Sequence, residues 1–126
     1  MAAVHSKNTK PEIVVRKIVH GLGYRFRLHS DKLPGKPDLV FPARRKVIFV
    51  HGCFWHRHTR CRYATTPKTK TEFWKAKFKA NVARDKRTRL ALERLGWAVE
   101  MVWQCELKEP ELLAERLDEF LSEDKP

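Results

Sequence analysis

Four apolar residues, Val47-Ile-Phe-Val50, run directly into a stretch in which almost every side chain can do chemistry. The run is rich in β-branched residues and has the length of a buried strand. His51-Gly52 ends it. Between His51 and Cys61 come three histidines, two cysteines and the adjacent aromatics Phe54-Trp55. A strand that delivers metal ligands, acid/base groups and aromatics at its end is the usual arrangement of an active site in an α/β protein. A plain core strand followed by a zinc-stapled turn would leave Phe54, Trp55 and the surplus histidines without a role.

The rest of the chain can be arranged around that strand. Thr9 and Glu12 have capping-box spacing with Pro11 in the first turn, and Ile13, Val14, Ile18, Val19 and Leu22 mark one face of a helix stopped by Gly21 and Gly23. Tyr24 to His29 alternates apolar with basic residues, as a half-solvated strand does. Leu33-Pro-Gly-Lys-Pro37 is a turn, Asp38 to Phe41 a short strand, and Pro42 to Arg45 a hairpin-like turn into Val47 to Val50. Three such strands in succession predict an antiparallel meander. A second capping box, Thr69 to Glu72, opens a long basic helix from Thr71 to Leu95, with an interruption expected near Asn81, and Gly96 ends it. Trp97 to Trp103 is a fourth strand. Reached through a helix, it is expected to lie parallel to the organising strand. Leu112, Leu113, Leu117, Phe120 and Leu121 give a final amphipathic helix. The predicted class is α/β, a mixed sheet flanked by helices, folded as a single domain over residues 1–126 with residues 1–10 a flexible basic lead-in.

Charge narrows the partners. Lys and Arg number 27 against 15 Asp and Glu, a formal net charge of +12, so a polyanion is expected. Nucleic acid is the first candidate and an anionic membrane surface its rival. Neither a long apolar span nor a signal-peptide pattern occurs, which predicts a soluble cytoplasmic protein. Three cysteines, an odd number, argue against a disulfide framework and for metal ligation.

Two constellations follow. Cys53, His58 and Cys61 are close enough to reach one ion from a single loop, and Cys105 could complete a tetrahedral zinc site, with His56 or His51 as alternatives to His58 on spacing alone. A site of four protein ligands leaves no open position, so its role is structural. Asp38 begins one strand and His51 ends the next. Paired as a hairpin, these strands bring both residues to one end, where Asp38 could hold a hard cation such as Mg²⁺. His56 or His51 could act there as general base or acid. For Trp97 and Trp103, within a strand, core packing is the expected role.

Leu33-Pro-Gly-Lys-Pro-Asp38, Val47 to His56, Thr71-Glu-Phe-Trp74, Asn81-Val-Ala-Arg-Asp85, Gly96-Trp97 and Val102-Trp-Gln-Cys105 together resemble the very-short-patch repair endonucleases, the Vsr family, in order and over nearly the whole chain. The resemblance implies a fold similar to type II restriction endonucleases. It also implies an activity: Mg²⁺-dependent nicking of one strand of duplex DNA, 5′ to the thymine of a T·G mismatch. Carried over by motif, Asp38 and the Val50 carbonyl hold Mg²⁺, His56 is the catalytic base and Asp85 orients it. His51 and Glu12 fill further active-site positions, and Cys53, His58, Cys61 and Cys105 hold structural zinc. Phe54, Trp55 and Trp74 match aromatics that wedge into the base stack beside the mismatch, while Lys75, Lys79, Arg84 and Lys86 are expected on DNA phosphates. The implied partner is double-stranded DNA with a T·G mismatch, bound by a monomer in the bacterial cytoplasm, with other repair proteins as further partners. Met1 matches the tail of a basic N-terminal helix that clamps DNA in the family, so residues 1–10 are expected to be a truncated or flexible lead-in. Two rival readings are a restriction-type nuclease without mismatch preference and a zinc-stapled DNA-binding module without catalysis.

Overall fold

The structure, a computed structural model, describes residues 9–28, 30, 32–53, 57–58, 61, 64–65 and 67–123. Phe54, Trp55, His56, His29 and the first eight residues of the lead-in lie outside the described residues. Helix α1 spans Lys10–Gly21, strands β1 Arg27–Leu28, β2 Leu39–Phe41 and β3 Lys46–His51, helix α2 Thr71–Arg94, strand β4 Ala98–Trp103 and helix α3 Pro110–Ser122. Short 3₁₀ turns at Pro42–Arg44 and Gln104–Lys108 follow β2 and β4.

The sheet order is β1-β2-β3-β4. The meander is antiparallel, with Arg27 opposite Val40 and Leu39 opposite Ile48, and β4 runs parallel to β3 with Val50 opposite Val102, as the helical crossover requires. Because side chains alternate across a strand, the sheet has two apolar faces. Leu39, Phe41, Ile48 and Val102 bury one face against Val15 and Val19 of α1 and Leu113, Leu117 and Leu121 of α3. Val40, Val47, Phe49 and Val99 bury the other against Leu92 of α2. The result is three layers, with the sheet between α1 and α3 on one side and α2 on the other. No described helix is long and apolar enough to cross a membrane.

Four local expectations change. Strand β1 is two residues, not six. Among the described residues β1 pairs with β2 only at Arg27–Val40 and Leu28–Leu39, and the Tyr24 hydroxyl donates instead to Asp118 of α3 at 2.7 Å. Thr9 is the N-cap residue of α1 but makes no capping bond, and Glu12 pairs with Arg16 at 3.2 Å. The second capping box also fails. Lys70 is the N-cap of α2 and sits at φ 52, ψ 43, whereas a capping side chain needs an extended backbone to reach back to the first turn. Finally, α2 is continuous through Asn81. That buried amide accepts a hydrogen bond from Arg84, so its polarity is met by a side chain and not by breaking the helix.

Two details fix the sheet's ends. The Lys46 amine is buried and donates to the carbonyls of Phe120 and Glu123 (2.6 Å for the latter), a cation at the negative end of α3. In the turn before Asp38, Gly35 has φ +74, and a Cβ there would lie 2.2 Å from Thr88 Cγ2 of α2. Gly35→Ala therefore meets two obstacles, a left-handed backbone and a collision. It should lower stability by about 1–3 kcal/mol. Thermal unfolding checks this: adding Thr88→Ala should recover the steric part of the loss but not the backbone part. Equal losses with and without Thr88 would show that the contact does not matter.

Candidate functional site

The β2–β3 register carries the site. With Leu39 opposite Ile48, Asp38 lies beside the end of β3, and the Val50 N–H donates to Asp38 Oδ2 at 2.7 Å. Pro37 is fully buried and Asp38 half-buried, so the carboxylate is anchored by packing on one side and by a backbone bond on the other. One strand end thus carries a carboxylate and the Val50 carbonyl, both hard oxygen donors of the kind Mg²⁺ takes.

His51 follows as the last residue of β3. It is 6% exposed, on the face that Phe49 and α2 cover, with its ring 5.8 Å from Phe49 and 5.2 Å from Trp103 in an edge-to-face arrangement. Glu12, also 6% exposed, comes from α1 on the other face of the sheet. Asp85 is half-buried on α2, four residues after Asn81 and seven after Phe78. A spacing of three and four places these residues on the helix side that packs against the body of the protein. The two carboxylates therefore sit on helices that flank opposite faces of the sheet.

The metal constellation closes. One ligand atom from each of Cys53, His58, Cys61 and Cys105 lies within 4.8 Å of every other. His58 Nδ1 is 3.6 Å from Cys53 Sγ and 3.4 Å from Cys105 Sγ, and the Cys105 N–H donates to Cys53 Sγ at 3.4 Å. Tetrahedral zinc with bonds near 2.0–2.3 Å separates its ligand atoms by about 3.3–3.8 Å, a range that holds both His58–thiol separations, and the set as a whole could hold such an ion with a small contraction. Of the alternatives that spacing left open, His58 is in the cluster and His51 is not. His56 lies outside the described residues. Burial pushes the Cys53 thiol up and drives Cys105 to about 12, with the neighbouring thiols adding to the rise at Cys105. Cys105 joins because the 3₁₀ turn after β4 runs beside the loop that follows β3.

Helix α2 supplies the basic surface. Lys75, Lys79, Arg84 and Lys86 are exposed, with Lys75, Lys79 and Lys86 at intervals of four and seven residues along one side. Trp74 is half-buried, stacked on Phe78 at 5.8 Å, and Phe73 sits edge-on to it at 5.3 Å while 58% exposed. Two residues to which the sequence assigns no role in the site, Arg57 and Trp103, join these parts. The Arg57 guanidinium lies 4.1 Å over the Phe78 ring and donates to the carbonyls of Ala64 and Thr65, both at 2.8 Å, tying the ligand loop to α2. Trp103, expected in the core, is half-buried and its indole stacks on His58 at 4.3 Å with ring planes 7° apart. Trp97 is also half-buried, under the Arg45 guanidinium at 5.0 Å. No pattern in the sequence announces such ring contacts, because they depend on which loops meet at the strand ends.

Comparison with known proteins finds relatives named as DNA endonucleases and nicking enzymes. The profile of a family described as DNA mismatch endonuclease Vsr matches residues 1–62. The chain is 54% identical over 121 residues to the type II nicking enzyme V.XorIIP of Xanthomonas oryzae pv. oryzae, covering 96% of this chain and 88% of that protein. It is 42% identical to the type II nicking enzyme V.NmeAIP of Neisseria meningitidis, covering 99% and 89%. To the DNA mismatch endonuclease Vsr of Escherichia coli it is again 42% identical, covering 96% and 80%.

Proposed function

The chain belongs to the Vsr family of DNA mismatch endonucleases, and from that premise we propose that it nicks one strand of duplex DNA 5′ to the thymine of a T·G mismatch by Mg²⁺-dependent hydrolysis. The observation that carries the reading is the Asp38 carboxylate bonded to the Val50 N–H at 2.7 Å, at the end of the strand that leads into the metal cluster.

The donor chemistry fits both ions. Asp38 and the Val50 carbonyl offer oxygen ligands suited to Mg²⁺, and Cys53, His58, Cys61 and Cys105 offer the thiolate and imidazole set suited to zinc. Mg²⁺ when bound would supply charge stabilisation to the pentacovalent transition state and the departing 3′-oxygen. The protein's residues do the rest. His56 takes the proton of the attacking water and Asp85 orients that imidazole. His51 and Glu12 hold the phosphate environment from the two faces of the sheet. The zinc cluster keeps the loop from Cys53 to Cys61 in place and takes no part in chemistry.

Mismatch preference follows from the aromatics. Wedging Phe54, Trp55 and Trp74 into the stack costs unstacking energy, which is lowest where pairing is already defective. Lys75, Lys79, Arg84 and Lys86 contact phosphates, which position the duplex without reading its sequence. Single-turnover nicking of a T·G duplex and its matched counterpart, with Mg²⁺ and with chelator, tests the proposal. The T·G duplex should be cut at least about a hundredfold faster, the order that a few kcal/mol of unstacking energy allows. Equal rates on both would point to a nuclease without mismatch preference.

A further inference from the structure

One indole ring touches an imidazole from each of the two constellations. Trp103 stacks flat on His58, a residue of the metal cluster, at 4.3 Å and 7°. It also meets His51, at the end of the strand that carries Val50, at 5.2 Å and 80°. His51 is nearly fully buried, with Phe49 against its ring at 5.8 Å. The indole is itself fixed by its place in the chain. Trp103 pairs with His51 across the parallel strands, its backbone N–H donates to Glu106 Oε1 at 2.8 Å, and two residues later the chain enters the cluster at Cys105. Glu106 in turn accepts from Arg116 of α3 at 2.6 Å, which anchors the turn that presents both Trp103 and Cys105.

We propose that Trp103 is a positioning residue that transmits the order of the metal cluster to His51. Resting on the nicking function proposed above, this gives the cluster an effect on rate as well as on stability. With the metal bound, His58 is held and presents one flat face to the indole, and the indole edge then confines the His51 ring between itself and Phe49. Without the metal, His58 loses its anchor, the stack loosens, and His51 gains rotational freedom beside the reacting phosphate. Rings in stacked and edge-to-face contact favour particular geometries beyond simple burial, so a flat aromatic is needed at position 103 and apolar bulk is not enough.

The test uses the full chain loaded with Zn²⁺ and compares Trp103→Leu with Trp103→Phe. Single-turnover nicking of a T·G duplex should fall about a hundredfold in Trp103→Leu, the scale of an ångström-level misplacement. Its duplex Kd should stay within about threefold, because binding is set mainly by phosphate contacts. Its zinc content should be unchanged, and Trp103→Phe should recover most of the rate. Independently, the His51 ring resonance in NMR should shift when the parent protein is stripped of zinc, in the same direction as in Trp103→Leu. Parental nicking by Trp103→Leu would overturn the proposal. So would joint loss of zinc and DNA binding with the bound-state rate intact, or a His51 resonance indifferent to zinc. If Trp103→Leu does not fold, Trp103→Phe and the parent resonance decide. A parent protein that never nicks would overturn the proposed function instead, and the resonance would still decide the coupling.

Discussion

Asp38→Asn should abolish nicking while leaving the fold and DNA binding almost untouched. The Val50 N–H donates to Asp38 Oδ2 at 2.7 Å, and an asparagine side-chain oxygen can accept the same bond. The β2–β3 hairpin therefore keeps its tie, and the melting temperature should move little. The negative charge is what disappears, and with it the ligand on which the proposed Mg²⁺ depends. Loss of such electrostatic stabilisation should lower the single-turnover rate by at least about a thousandfold. Binding is dominated by basic residues in a chain of net charge +12, so Kd should change little. Asp38→Ala should be equally inactive and less stable, by about 1–3 kcal/mol, because it removes the acceptor from a partly buried N–H. Nicking at the parental rate by Asp38→Asn would remove Asp38 from the mechanism.

Cys53→Ser and Cys105→Ser should lose bound zinc and lower the melting temperature by about 10 °C or more. Cys53 is fully buried, and Cys105 joins the last turn of the sheet to the loop after β3, so the cluster cross-links segments far apart in the chain. The pH dependence has a defined sign. In the metal-free fold burial drives Cys105 from 9.0 to about 12 and raises Cys53 as well, so both thiols are protonated near neutrality. Zinc binds thiolate and must displace those protons, so its apparent affinity should fall as pH falls, by up to about tenfold per pH unit for each proton released. The metal-free protein should show another trend. A raised folded value contributes stability below the unfolded pKa that is lost as pH rises through the folded one, so apo stability should decline between pH 9.0 and about 12. Titrations of zinc affinity and of apo melting temperature against pH check both. A zinc affinity independent of pH would mean that the thiols are not the ligands.

Much of the architecture was legible because it rests on period and punctuation. The apolar run at Val47 to Val50, the helix between it and Trp97, and Gly96 at φ +91 were enough to place β3, α2 and a parallel β4. Asp38 beside the end of β3 followed from hairpin logic alone. The cluster of Cys53, His58, Cys61 and Cys105 was legible as a set, although spacing alone could not choose His58 over its neighbours. The capping boxes expected at Thr9 and Thr69 do not form: Thr9 is extended yet its side chain makes no capping bond, and Lys70 before α2 is left-handed, neither of which spacing reveals. It was least legible at Trp103 and Arg57, whose contacts join a loop to a strand end and a loop to a helix, where no local pattern exists. A Trp inside an apolar strand looks like core until the loop that covers it is known.

The most direct test of the central claim is to map the cut at single-nucleotide resolution on a T·G duplex with each strand labelled in turn. One Mg²⁺-dependent break is predicted, on the thymine strand at the bond 5′ to the mismatched T, with the opposite strand and a matched duplex intact. Breaks on both strands, cutting of the matched duplex at the same positions, or no Mg²⁺-dependent break at all would contradict it.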